Sequence, residues 1–164
     1  IILEPSLKIT YVQPKDFTGL LRYVRNILVV TIDPTAYTKV SVGYENNVWA
    51  RGQVVVSLKA PNTESIVEYS KTHEKALVNF FVKVEMNRAI EQLQKEYSMV
   101  VMDNLKSDLN VMLNAPANFT YYKDTTDFFW SSNNANTGRM DLIVYTFPYT
   151  DPNTFTEEYL VVSL

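Results

Sequence analysis

The segment from roughly Asn62 to Leu109 constrains this chain more than any other. It reads as helical throughout, with Asn62 as N-cap and Glu64 in the first turn. Thr72 offers a second start, so a break near His73 is an open alternative. At about 100° per residue, Ile66, His73, Leu77, Phe80, Phe81 and Val84 fall on one face. Met86, Ile90, Leu93, Tyr97 and Val100 fall on roughly the opposite face. A helix lying on one sheet keeps one apolar stripe. The switch near Glu85 therefore means that the helix breaks there, or that its halves bury against different layers. Arg88 lies just past the switch, on the abandoned face, and is expected near the junction.

Strands flank this segment. Leu7, Ile9 and Tyr11 alternate with Lys8, Thr10 and Val12, which predicts a strand. Pro14 then opens a short helix whose Phe17, Leu20, Leu21 and Val24 form a core-facing stripe. Ile27 to Ile32 is a near-continuous apolar run, the pattern of a strand covered on both faces, and Asp33-Pro34 ends it. Val40, Val42 and Tyr44 alternate again, and Val54 to Leu58 forms a further strand closed by Ala60-Pro61-Asn62. Beyond Pro116, Phe128 to Ser131 and Leu142 to Phe147 read as strands separated by an Asn-rich turn from Asn133 to Gly138. Thr154 with Glu157 has capping-box spacing for a last helix. The expected fold is α+β: a mostly antiparallel sheet packed against a long helical segment, in the order β-α-β-β-β-α(α)-β-β-α. Residues 1–164 read as one domain. The apolar starts and ends, Ile1-Ile2-Leu3 and Tyr159 to Leu164, suggest a piece of a longer chain.

Composition removes several function classes. A 164-residue chain with 46% hydrophobic residues can bury a core. A net charge of −3, with 15 scattered basic residues, argues against nucleic-acid binding by phosphate neutralisation and against a basic membrane patch. No cysteine is present, which excludes disulfides, thiolate metal sites and thiol nucleophiles. His73 is the one histidine. No apolar run reaches the ~20 residues needed to span a bilayer, and no signal peptide is visible. The glycines sit in neither P-loop nor dinucleotide spacing, so no cofactor is expected.

Each candidate site has a functional and a structural reading. His73 is either a lone general base or a histidine of a cap region; the second is favoured, because an isolated histidine lacks the partners that catalysis needs. Arg88, with Glu85 at i−3, is either a guanidinium aimed at a carboxylate or phosphate or a locally paired arginine. Arg22, Arg25 and Asn26 suit the negative end of a helix better than an anion site. Tyr121, Tyr122, Phe128, Phe129 and Trp130, followed by Ser131 to Asn134, form the densest aromatic and polar cluster. Such a cluster could stack a sugar ring or meet a protein. Successive strand residues point to opposite faces, so Phe129 and Trp130 cannot line one groove. Asp124, Asp127, Asp141 and Asp151 supply carboxylates, but an acid/base pair needs two that face each other. Asn118-Phe119-Thr120 matches a glycosylation sequon.

Several stretches together resemble a family, domain of unknown function 4837. They are Tyr11 to Pro14 with Phe17 and Gly19 to Leu21, Arg25 to Ile27, Val48 to Ala50, Phe80-Phe81, and Glu85 to Arg88. Tyr122-Lys123, Asp127 to Asn134, Tyr145 to Asp151 and Asn153 to Thr156 follow. The resemblance implies a Bacteroidetes lipoprotein of the cell envelope, anchored through a cysteine upstream. It transfers no catalytic residue. The expected function is a non-enzymatic module binding a glycan or protein, with Arg88, Glu85, Trp130, Asn133 and Tyr122 as ligand contacts and no metal. The alternatives are a hydrolase of an anionic substrate using carboxylates and Arg88, and a purely structural assembly module.

Overall fold

The structure is a computed structural model that describes residues 7–162. The residues Ile1-Ile2-Leu3 and Ser163-Leu164 lie outside the described range. The strand expected from Leu7 to Val12 does not form; residues 7–13 carry no regular structure. Alternation supplies a face, but a strand also needs a neighbour for its N–H and C=O groups. Leu7 instead packs against the first core cluster. The helix expected after Pro14 is two 3-10 turns, Pro14–Asp16 and Gly19–Tyr23. Gly19 sits at φ 53°, a left-handed conformation that interrupts a helix. The expected stripe consequently faces out, with Leu20 87% exposed, and Phe17 meets the edge of Trp49 at 5.5 Å.

The first sheet holds β1 (Asn26–Ile32), β2 (Ser41–Asn46) and β3 (Val54–Ala60) in the order β1-β3-β2. β1 runs parallel to β3, with Leu28 opposite Val56. β2 runs antiparallel to it, with Tyr44 opposite Val56. The Asp33 carboxylate accepts from Thr35 N at 2.8 Å and Ala36 N at 3.2 Å and turns the chain out of β1. Buried Gln53 stitches the entry to β3. Its amide donates to Arg22 O at 2.7 Å and Val24 O at 2.6 Å, and its Oε1 accepts from Trp49 N at 3.0 Å. Val54, Val55, Val56, Leu58 and Ala60 are buried, so β3 is the doubly covered strand. β1, expected to be covered on both faces, is covered on one. Leu28, Val30 and Ile32 stay 44%, 49% and 47% exposed, because β1 is an edge and the helix packs over its neighbours.

That helix, α1, runs unbroken from Thr63 to Lys95. The Asn62 side chain caps it by accepting from Ser65 N at 2.8 Å. Thr72 starts nothing; its hydroxyl donates back to Glu68 O and Tyr69 O within the helix. Leu77, Phe80, Phe81 and Val84 pack on Val54 and Val56, and Phe80 tilts against Tyr44 at 5.0 Å. Each such buried side chain contributes roughly 1.5–3 kcal/mol. Past Glu85 this stripe ends, while Met86 and Ile90 of the expected second stripe are exposed. The helix does not reach Leu109 as one piece. It stops at Lys95, and α2 spans Met99–Leu109 after a break. Ser98 makes that break by accepting from Val101 N at 3.3 Å while donating to Phe119 O. Asn110, at φ 53°, ends α2.

The second sheet holds β4 (Tyr121–Thr125), β5 (Phe128–Ser132) and β6 (Asp141–Tyr145) in the order β4-β5-β6, antiparallel throughout. Its core joins Phe129 to Val101 and Leu105 of α2 and to Ala115 and Phe119, with Leu142 and Val144 at the margin. The last helix, α3, is Glu157–Val162. The capping box lies three residues earlier than expected, with Asp151 as N-cap and Thr154 inside the 3-10 turn Pro152–Phe155. The class is α+β with mostly antiparallel pairing, arranged as two small sheets rather than one. Contacts divide the chain into two compact units, Ile1–Asn87 and Arg88–Leu164. The division falls just past the stripe switch at Glu85.

Candidate functional site

The period of two along β5 sorts the aromatic cluster. Phe129 and Ser131 turn to the core and are buried. Phe128, Trp130 and Ser132 turn the other way, with Phe128 exposed, Trp130 half-buried and Ser132 buried beside the β5–β6 loop, where its hydroxyl donates to Met140 O. Register extends that second face across the sheet, through Tyr121, Lys123 and Thr125 of β4 and Asp141, Ile143 and Tyr145 of β6. Ile143 is 53% exposed, and Tyr121 and Phe128 are also open. Apolar strand residues are normally buried by a second layer. Here Phe128, Trp130 and Ile143 form an aromatic and aliphatic strip along the middle of the face.

A clamp orders this strip. Trp130 Nε1–H donates to Asp141 Oδ1 at 3.0 Å. The Arg139 guanidinium donates to both carboxylate oxygens of Asp141, at 3.1–3.2 Å. It also lies over the indole, 6.0 Å from its centroid. These contacts hold the Asp141 carboxyl below its ordinary value, first through Arg139 and then through the Ser132 and Trp130 hydrogen bonds. The ion pair is exposed and screened by water, so it adds little to stability. Its effect is geometric: the indole and the guanidinium keep one mutual orientation.

The three expected contacts on the second sheet and its loop, Trp130, Tyr122 and Asn133, do not share one face. Trp130 lies on the open face. Tyr122 lies on the opposite one and stacks on Phe129 at 6.3 Å. Asn133 organises the β5–β6 loop: its Oδ1 accepts from Ala135 N and Met140 N, and its Nδ2 donates to Gly138 O. Glu85 belongs to the first unit, where it binds Arg25 at 3.2 Å and accepts from Asn26. Arg88 is half-buried on α1. His73 is exposed and stacks on Tyr69 at 4.1 Å.

Sequence reasoning missed Arg139, and it counted Asp141 only as one of four scattered carboxylates. The pairing of Trp130 with Asp141 is a diagonal cross-strand contact, so only the register reveals it. Reasoning from sequence also could not pair Asp108 of α2 with Asp124 of β4. Their carboxyls hydrogen-bond each other, raising Asp124 above its ordinary value. Asp108 is lowered, first by the Ser107 hydroxyl and then by Asp124. Both carboxyls are open to water. Two shallow surface depressions contain neither this pair nor Arg88. One runs along α1 from Thr63 to Lys71, and the other along β2 and β3 near Tyr44 and Ser57. Among the described residues, no three His, Cys, Asp or Glu side chains gather as metal ligands. No helix there is long and apolar enough to cross a membrane.

Comparison with known proteins divides the chain where α1 gives way to α2. Residues 2–94 match the family model described as Domain of unknown function (DUF8532). Residues 98–163 match Domain of unknown function (DUF4837). No curated protein and no solved structure matches the chain. The DUF4837 match takes in Tyr122-Lys123, Asp127 to Asn134 and Tyr145 to Asp151. The resembling stretches from Tyr11 to Arg88 fall inside the DUF8532 match instead. The chain thus belongs to the DUF8532 family through residues 2–94, more than half its length, and carries a DUF4837 segment over residues 98–163.

Proposed function

We propose that this chain is a non-enzymatic module that binds a protein partner through the open face of β4-β5-β6. The observation that carries the reading is the strip of exposed Phe128 and Ile143 with half-buried Trp130 between them, bordered by Lys123, Arg139 and Asp141. Tryptophan, tyrosine and arginine are the residue types that dominate binding energy at protein interfaces. An apolar centre with a charged border is the usual anatomy of such a patch. A protein partner suits this face better than a glycan. A sugar ring stacks on an open indole, and here the Arg139 guanidinium already lies over it. The cell-envelope location implied by the DUF4837 resemblance belongs to the same proposal, and fractionation of the native cells tests it.

Affinity capture from native cell extract, with Ile143→Glu as the comparison bait, tests the binding reading. Ile143 is a surface position, so the variant keeps its fold, as its circular dichroism and melting curve will show. The expected result is a partner retained by the natural chain and reduced at least about tenfold by Ile143→Glu, since burying an unpaired charge costs several kcal/mol. No retained partner, or equal retention by both baits, sinks the proposal.

A further inference from the structure

A different part of the molecule, the strand β1, has an edge that calls for cover. β1 is an edge strand whose one strand neighbour among the described residues is β3. Its backbone alternates. Arg25 O accepts from Val54 N at 2.8 Å, and Asp33 N donates to Ala60 O at 3.0 Å. Odd-numbered residues therefore turn their N–H and C=O groups toward β3. The groups of Leu28 and Val30 turn outward, to the open edge. From Asn26 to Ile32 the strand contains no proline, glycine or charge. Native proteins normally blunt an edge of that kind. The opposite edge, β2, is blunted by Gly43 and Glu45. The side chains of Leu28, Val30 and Ile32 are also half exposed, so among the described residues no strand covers the edge of β1 at Leu28 and Val30, and one face is partly open.

We propose that β1 pairs with β1 of a second copy of this chain, antiparallel about a two-fold axis at Val29, giving a continuous six-stranded sheet. Antiparallel pairing centred on Val29 sets Leu28 opposite Val30 of the other copy. Both residues point their backbone groups outward, so each such pair exchanges two N–H···O=C bonds. Directly opposite residues share a face, so the half-exposed aliphatic side chains of the two copies come together on one side. The same register sets Arg25 of each copy opposite Asp33 of the other. Those two charges flank the strand with opposite signs. In the single chain Arg25 is held by Glu85, with its side chain 70% exposed, and Asp33 is held by Thr35. The strand is thus complementary to itself in hydrogen bonding, apolar face and charge, as an isologous interface requires. A one-residue slip would lose all three.

The chain's lack of cysteine makes the test direct. Val29→Cys places the two sulfurs across a non-hydrogen-bonded pair, where Cα atoms lie about 4.5 Å apart, inside disulfide range. Ile32→Cys is the control, because its copies lie about 20 Å apart in this register. Mild oxidation should convert Val29→Cys to a covalent dimer and leave Ile32→Cys monomeric on a non-reducing gel. Sedimentation of the natural chain should show a dimer that Leu28→Lys dissociates at least about tenfold, with circular dichroism confirming that the variant folds. A natural chain that stays monomeric at every concentration overturns the proposal, as does equal crosslinking of the two cysteine variants. Partner capture that depends on Ile143 tests the other face, so either proposal can fail while the other stands.

Discussion

The sheet β1-β3-β2 leaves its apolar surface open at an edge, whereas β4-β5-β6 leaves it open along the middle. The residue types differ too. The first opening is aliphatic, made of Leu28, Val30 and Ile32. The second is mainly aromatic, and the Arg139–Asp141 clamp gives its tryptophan a polar handle. An aliphatic edge with no further strand beside it among the described residues suits permanent cover. An aromatic face with charged borders tolerates water and suits a contact that forms and separates. The cores behind the two openings also differ. Phe129 is 1% exposed amid α2 and its following loop, while Phe81 at 9% is backed by partly open neighbours.

The largest expected effect tests that difference in packing. Phe129→Ala should destabilise its unit by about 3–5 kcal/mol, and Phe81→Ala should fall at the low end of that range, because its surroundings can relax into the space. Urea denaturation of both variants measures the order, and the reverse order would show that the first sheet holds the tighter core. Next comes Gln53→Leu, which keeps the volume but strands Arg22 O, Val24 O and Trp49 N. A loss of about 1–3 kcal/mol is expected. No loss would mean that water replaces the side chain and that the entry to β3 is looser than drawn.

The smallest effect concerns two carboxyls of the second sheet whose pH dependences have opposite signs. Asp124 is raised above 3.8 by its hydrogen bond with Asp108. Its contribution is present below pH 3.8 and is lost as pH rises through the folded value. Asp141 is lowered by Arg139. Its contribution is present above pH 3.8 and is lost as pH falls through the folded value. Asp124→Asn should therefore melt at or above the natural chain at pH 7 and lose that advantage in acid. Asp141→Asn should melt lower at pH 7 and converge with the natural chain in acid. Melting curves across pH decide it, and parallel curves for both variants would refute the assignment.

Sequence alone shows the strands that are apolar, and it misses what depends on partners. Asn26–Ile32 and Val54–Ala60 are evident because their runs of Val, Ile and Leu can serve little else. The strand Tyr121–Thr125 goes unseen because all five residues are exposed, leaving no burial pattern to find. Leu7 to Val12 misleads for the converse reason, since it has a face without a partner. The end of α1 passes unnoticed because Glu96-Tyr97-Ser98 holds neither glycine nor proline. The stop is made by the Ser98 hydroxyl and Phe119, twenty-one residues away. The end of the first stripe near Glu85 was readable, since it needs only helical geometry, but the second stripe was not, because Met86 and Ile90 are exposed. Trp130 was readable as a candidate, but its clamp to Asp141 was not.

The interruption between α1 and α2 bears on how such a chain could arise. Glu96 N closes α1 onto Gln92 O, and Asn114 Nδ2 donates to Leu93 O near that end. Ser98 opens α2 with its own cap. Each helix therefore possesses its own terminus, and the family boundary between residues 94 and 98 falls in the gap. A genetic crossover at that point would join two coding segments without cutting a helix, and the hydrogen bond from Asn114 to Leu93 is a contact that any new pairing of segments would have to match.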